Sequence, residues 1–493
     1  MSLVLLVSAC VVRVTGWIRW RQWQEKIATQ GSTAVGQSHN GVGTGSRRSG
    51  LSPRYTENNV DVAEFLNHWS VLQSWRDLPE PMRWEDSDRA LAISKQSNWR
   101  TRFRTTNSWQ QLANQLDVLQ PKLRDFLKTV DDGRGLPEFK PRRPGIAARY
   151  CGITIQAARL LGANVVVGLH LDQPDRVREA IDGLCALDTA LGNTANPGAL
   201  LARTTLNAYI FGSLWETLCW DKWSAQDLEL WSSRLRDLDY LGSVQPTIRR
   251  DLITASRFLA ETRASLGKSV QFAGRFAALG APSGTTRRPS TVRTLLGPVL
   301  LVTDQLRQAF HGALWIALWT YHDEANLYAF EDGLNTRAGE MRTGNLPLGN
   351  VLAFGWAESN ATVKNAWSRG QRSARVSLAV PLMDNIQRLG VNEIRRRLCI
   401  VALALRRFQT AHGHLPNTLT ELAPTLISEI PNDLLTGEPI NYVRLDDGAT
   451  FRLTSVGLGK RDDPNLRAIA GSTMGYVAEP AEMSWPSETP PRD

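Results

Sequence analysis

The strongest constraint on the fold is a run of helix-period segments between residues 145 and 265, each closed by a chain breaker before the next begins. After Pro174, Val177, Ile181, Leu184, Leu187 and Leu191 recur every three or four residues, so a helix gathers them on one face. Asp172-Gln173-Pro174 precedes this segment, and proline suits a first helical turn because the N–H it lacks has no intrahelical partner there. Asn196-Pro197-Gly198 makes the next break, before a helix over 199–220. Ser224-Ala225-Gln226-Asp227 then has the form of a capping box, opening a helix through Leu228, Trp231, Leu235 and Leu238. With helices at 146–170 and 247–265, the short connections require antiparallel neighbours. The predicted class is mainly α: an antiparallel helical-hairpin array or bundle, followed by a small α+β segment.

That segment is legible from its turns. A helix over 371–412, single or double, stops at His412-Gly413-His414-Leu415-Pro416, and Thr418 to Leu422 makes a short turn. Ile440–Leu445 and Thr450–Val456 read as strands joined through Asp446-Asp447-Gly448, a β-hairpin. The chain divides accordingly: 1–28 a membrane anchor or interfacial segment, 29–54 a flexible Gly/Ser linker, 55–278 a helical domain, 279–292 a break. A helical continuation follows over 293–411, including a helix over 299–338, then the α+β segment at 412–465 and a disordered tail at 466–493. The linker reaches on the order of 30 Å.

Charge is local rather than global. Lys+Arg exceed Asp+Glu by 57 to 48, a net +9, which is small for 493 residues. Arg372, Arg375, Arg388, Arg395 to Arg397, Arg406 and Arg407 face only Asp384 and Glu393 within 371–410. A hydrophobic content of 42% with 17 Trp excludes a wholly disordered chain. No apolar run reaches the roughly 18 to 20 residues of a secure span, which excludes a polytopic transporter. Cys10, Cys151, Cys185, Cys219 and Cys399 form no CxxC and read as buried free thiols.

At the amino terminus, apolar Leu3–Val12 is interrupted by Arg13 and resumes to Ile18, with Trp17, Trp20 and Trp23 interleaved among Arg19, Arg21 and Lys26. Trp prefers the headgroup layer and Arg and Lys snorkel toward phosphate, so Arg13, Trp17, Arg19, Trp20, Arg21 and Trp23 are the candidate membrane-interface residues. Either a longer single-pass transmembrane helix begins before Met1, or the segment lies in the interface. Val7-Ser8-Ala9-Cys10 also has the outline of a lipobox, without a basic flank. An ordinary buried helix is the plain alternative.

Arg406-Arg407-Phe408 … His412-Gly413-His414-Leu415-Pro416 … Pro431 … Gly437-Glu438-Pro439-Ile440-Asn441-Tyr442 … Phe451-Arg452-Leu453-Thr454-Ser455-Val456-Gly457 … Asp462-Asp463 resembles the carboxy-terminal part of type II secretion major pseudopilins. It is closer to the tails of uncharacterised membrane-anchored bacterial proteins. Leu169-His170-Leu171-Asp172-Gln173-Pro174 through Trp215, and Trp223-Ser224-Ala225-Gln226, are similar to the helical bodies of that group. The resemblance covers about 145–265 and 371–463 and implies one amino-terminal anchor before a helical body. The pseudopilin processing motif is absent, and Asn432-Asp433 lacks the usual following proline, so no pilus subunit is implied. Adjacent Asp462 and Asp463 make a poor calcium cage.

Chemistry-bearing groups are sparse. His412 and His414 have no third ligand nearby, and no Walker loop, HExxH or GxSxG occurs, so neither a metal nor another cofactor is expected. Glu324 and Glu331 share a helix face near His322-Asp323, where acid/base catalysis competes with a solvated acidic face as the reading. Trp99-Arg100-Thr101-Arg102-Phe103-Arg104 with Trp109 interleaves rings and bases, giving a nucleic-acid alternative over 95–149 against a solvated face. The leading expectation is a membrane-associated, non-catalytic protein acting in envelope-linked protein–protein interactions. No small-molecule substrate is identifiable.

Overall fold

Breakers and caps set the helix ends where the periodicity places them. The computed structural model describes residues 13–26, 106–131, 144–192, 197–218, 220, 222–265, 267–268, 320–355, 357–358, 374–445, 450–455 and 483–485. Helix α1 covers 13–26, α2 Thr106–Asp131, α3 Pro144–His170, α4 Pro174–Gly192 and α5 Pro197–Leu218. Then come α6 Ala225–Asp237, α7 Val244–Arg263, α8 Thr320–Arg342, α9 over 348–355 and α10 Ala374–His412. Pro174 and Pro197 each occupy a first helical position, where their fixed φ is preorganised. Ser224 caps α6: its Oγ accepts from the Asp227 N–H, and the Asp227 carboxylate accepts from the Ser224 N–H, as the capping box requires.

The helices pack as the short loops demand. α3 lies against α4 and α5, α4 against α5, and α2 covers α3 and α4. The long α10 supports α5 and α6 on one side and α7 and α8 on another, and α7 packs on α8. The expected periodic face of α4 is buried, with Val177, Leu184 and Leu187 at 0% exposure. One hydrophobic cluster extends from Ala113 in α2 to Leu453 near the carboxy terminus. The segment 371–412 is thus one helix, and the residues either side of the expected break at 279–292 share a core through α7 and α8.

Inside the body, Arg203 is 3% exposed and donates to Asp188, itself 0% exposed, at 2.9–3.1 Å. Burial opposes the Arg203 charge, but the Asp188 carboxylate outweighs it, so the guanidinium stays above its usual range. Its face stacks on Tyr240 at 4.4 Å, and the Tyr240 hydroxyl donates to Asn207. A buried pair of this kind fixes the packing of α4 on α5, because losing one partner strands a charge.

The carboxy-terminal strands are β1 Asn441–Arg444, β2 Phe451–Ser455 and β3 Met483–Trp485, in the antiparallel order β1-β2-β3. Register pairs Tyr442 with Leu453 and Leu453 with Trp485. β3 corrects the disordered reading of the tail for Met483–Trp485, because β2 has a second edge to pair. The hairpin turn at 446–448 lies outside the described residues.

Gly152–His170 in α3 is long and apolar enough to cross a membrane by length and composition. Here 78% of that window is buried within the protein, in contact with α4 and α5, which a core helix also requires.

Candidate functional site

Two groups singled out in the sequence, the amino-terminal tryptophans and the acids of the 299–338 helix, meet in space. α1 lies along α8 over several turns. Gly16 faces the His322 ring so closely that a Cβ there would come within 2.6 Å of Cδ2, and Thr15 Oγ1 lies 3.3 Å from His322 Nε2. Gln24 Nε2 donates to the Tyr328 hydroxyl at 2.6 Å, and Lys26 Nζ donates to Asp332 at 2.9 Å. These contacts keep sequence separations of 307, 304 and 306, so the two helices run parallel.

Beneath this seam sits a polar hub. Glu324 is 0% exposed, and its carboxylate accepts from Ser256 at 2.8 Å, from Tyr328 at 2.6 Å and from Arg263. Ser256 Oγ also lies 2.6 Å from the Tyr328 oxygen. Arg263, its charge held by Glu324, lies 4.9 Å from the Tyr321 ring centre and 5.7 Å from that of Trp20. The Trp20 and Tyr321 rings are themselves 5.3 Å apart. Burial, and then the neighbouring Glu324, push the Tyr328 hydroxyl well above its ordinary pKa. The hub is therefore a closed set of mutual donors and acceptors.

Glu331, two turns along, has a different environment. It is 2% exposed, its Oε2 has no hydrogen-bond partner, and burial with nearby Asp251 raises its pKa well above the carboxylate range. Asp251 is pushed up to about 6 by burial, against the opposing pull of Arg250. Glu324 and Glu331 thus share a helix but not a site: one is consumed by an ion pair, and burial raises the carboxyl of the other. The solvated acidic face expected here is corrected, since Asp323, Glu324 and Glu331 are all buried.

The interface candidates split by face. Trp20 and Trp23 are half-buried, Trp20 in the seam and Trp23 beneath Lys26 at 4.6 Å. Arg13, Trp17, Arg19 and Arg21 are exposed, with Arg21 over the Trp17 ring at 5.4 Å. Val14, Trp17 and Ile18 form an outward apolar stripe at 52%, 40% and 44% exposure.

Elsewhere the structure gives the candidates local work. His412 stacks on Phe408 at 4.1 Å and His414 lies beside Leu415 O. Among the described residues no group of three or more His, Cys, Asp or Glu is placed to hold a metal. Cys185 and Cys399 are buried and free, and burial raises their thiols. Trp99–Arg104, Cys10, Cys219, Asp462 and Asp463 lie outside the described residues, as does most of 95–149 before α2. Sequence reasoning missed Gln24, Ser256, Arg263, Tyr321 and Tyr328. Their only local signal is the i, i+7 spacing of Ser256 and Arg263 on a helix, and their partners lie far along the chain.

The chain matches no family model, no curated protein and no solved structure.

Proposed function

We propose that the protein is a membrane-associated, non-catalytic helical protein that uses α1 at a lipid interface and its helical body for envelope-linked contacts with other proteins. One observation carries this reading: Val14, Trp17 and Ile18 point outward together on one helix whose opposite face is occupied. Singly exposed apolar residues are ordinary, but an apolar stripe with a Trp among arginines fits the headgroup layer of a bilayer. Arg13, Arg19 and Arg21 supply the positive charge, and apolar Leu3–Val12 directly precedes the stripe in sequence. The resemblance to membrane-anchored bacterial proteins with pseudopilin-like tails supports the same setting.

The test is fractionation of cells expressing the full chain. Wild type is expected with the membranes, and Ile18→Asp is expected to move to the soluble fraction with unchanged circular dichroism. A wild-type protein found wholly in the soluble fraction would remove this reading.

A further inference from the structure

We infer that α1 binds an anionic lipid surface while still docked on α8, so that the Glu324–Arg263–Tyr328 hub fixes which face of the helix meets the bilayer. This rests on the membrane reading and deepens it by naming the lipid charge and the state of the helix. Three observations converge on it.

The first is that the docked face is engaged along the length of α1. Gly16 against His322, Trp20 between Arg263 and Tyr321, Gln24 on Tyr328 and Lys26 on Asp332 follow one another along the helix. A helix of this length extends about 20 Å at 1.5 Å per residue, and contacts spread over it prevent rotation about its axis. The second is that the hub is preformed beneath it. Glu324, without solvent exposure, holds Arg263 by an ion pair, and that guanidinium then meets the Trp20 ring. Tyr328, held by Glu324 and Ser256, is already placed to accept from Gln24. Undocking α1 strips the Gln24 bond from a buried hydroxyl and removes the Trp20 ring from a cation.

The third is charge. The helix that carries the outward stripe also carries exposed Arg13, Arg19 and Arg21, with Arg21 over the Trp17 ring at 5.4 Å, and Glu25 is the acid among residues 13–26, paired with Arg21 at 3.5 Å. This basic excess favours anionic headgroups, each basic group near the surface strengthening binding roughly fivefold. A membrane-spanning α1 would instead have to carry Gln24, Glu25 and Lys26 away from their present positions, with Lys26 leaving Asp332.

The Lys26–Asp332 ion pair gives a direct readout. A water-soluble carbodiimide joins an amine to a carboxylate in contact as an amide, with loss of water taken up by the reagent. The full chain is floated on vesicles of phosphatidylcholine with phosphatidylglycerol, and the floated fraction alone is treated and digested. The Lys26–Asp332 linked peptide is expected in the yield found without vesicles, and absent in Lys26→Gln. Flotation is expected to weaken at least tenfold on pure phosphatidylcholine and in the Arg19→Glu, Arg21→Glu double variant. If the protein floats but the linked peptide disappears, α1 leaves the body to bind lipid and the inference fails while the membrane reading stands. Equal flotation on neutral vesicles would overturn the anionic preference. No flotation at all overturns both.

Discussion

Glu324 serves Ser256, Tyr328 and Arg263 from a position with no solvent exposure, so its charge is tied to the integrity of the α7–α8 packing. Removing one partner of a buried pair leaves the other charge uncompensated, at roughly 3–5 kcal/mol. Glu324→Gln is expected to cost about 3 kcal/mol in urea unfolding, and Glu324→Leu combined with Arg263→Met is expected to cost less than the single change. A cost below about 1 kcal/mol would mean that the pair does not hold the hub. Asp251 gives a pH signature. Its carboxyl is raised to about 6 in the fold, against about 3.9 unfolded. Between those values only the unfolded state gives up the proton, so this group's contribution to stability falls as pH rises. Asp251→Asn should therefore gain on wild type from pH 4 to 6, and an unchanged difference across that window would contradict the assignment. The carboxylates were visible in the sequence as acids on helices. Their burial was not, because side chains that meet Glu324 come from residues 256 and 263, which no local window joins to it.

α10 shows the same limit at the scale of an element. Its arginine runs read as a basic surplus, yet the fold spends several of them on carbonyls at the ends of other elements. Arg396 donates to Leu235 O near the end of α6 and Arg406 to Leu218 O at the end of α5, at 3.1 Å and 2.8 Å. Arg397 reaches Asn432 O and Arg407 reaches Leu426 O. Carbonyls in the last turn of a helix lack intrahelical donors, and the helix dipole favours a cation there. Arg406→Met keeps the apolar stem but loses both effects, and is expected to cost about 1–2 kcal/mol. A neutral result in thermal melts would mean that Arg406 does not cap α5. The α6 start, by contrast, was fully legible: Ser224 and Asp227 lie three residues apart and cap each other as their spacing predicts. Ser224→Ala is expected to cost about 1 kcal/mol. Caps and periodic faces are local and can be read; a cation capping a helix 188 residues away is tertiary and cannot.

For the whole molecule, the mainly helical class and the antiparallel hairpin followed from periodicity and turn chemistry, because both act within a few residues. The boundary at 279–292 was read from composition alone, and composition does not show that α7 and α8 on its two sides pack together. A core continuous from α2 to β2 is expected to unfold in one transition by far- and near-ultraviolet circular dichroism. The proposed function turns on the placement of α1, a helix fixed on one face by Gly16, Trp20, Gln24 and Lys26, and apolar on the other through Val14, Trp17 and Ile18. The decisive measurement is a flotation titration of the full chain against anionic vesicles, with Trp17→Ala, Ile18→Asp as the comparison. Wild type is expected to bind saturably, and the double variant to lose at least tenfold in binding with its fold unchanged by circular dichroism. Wild type that remains at the bottom of the gradient, or a double variant that binds equally well, would contradict the proposed function.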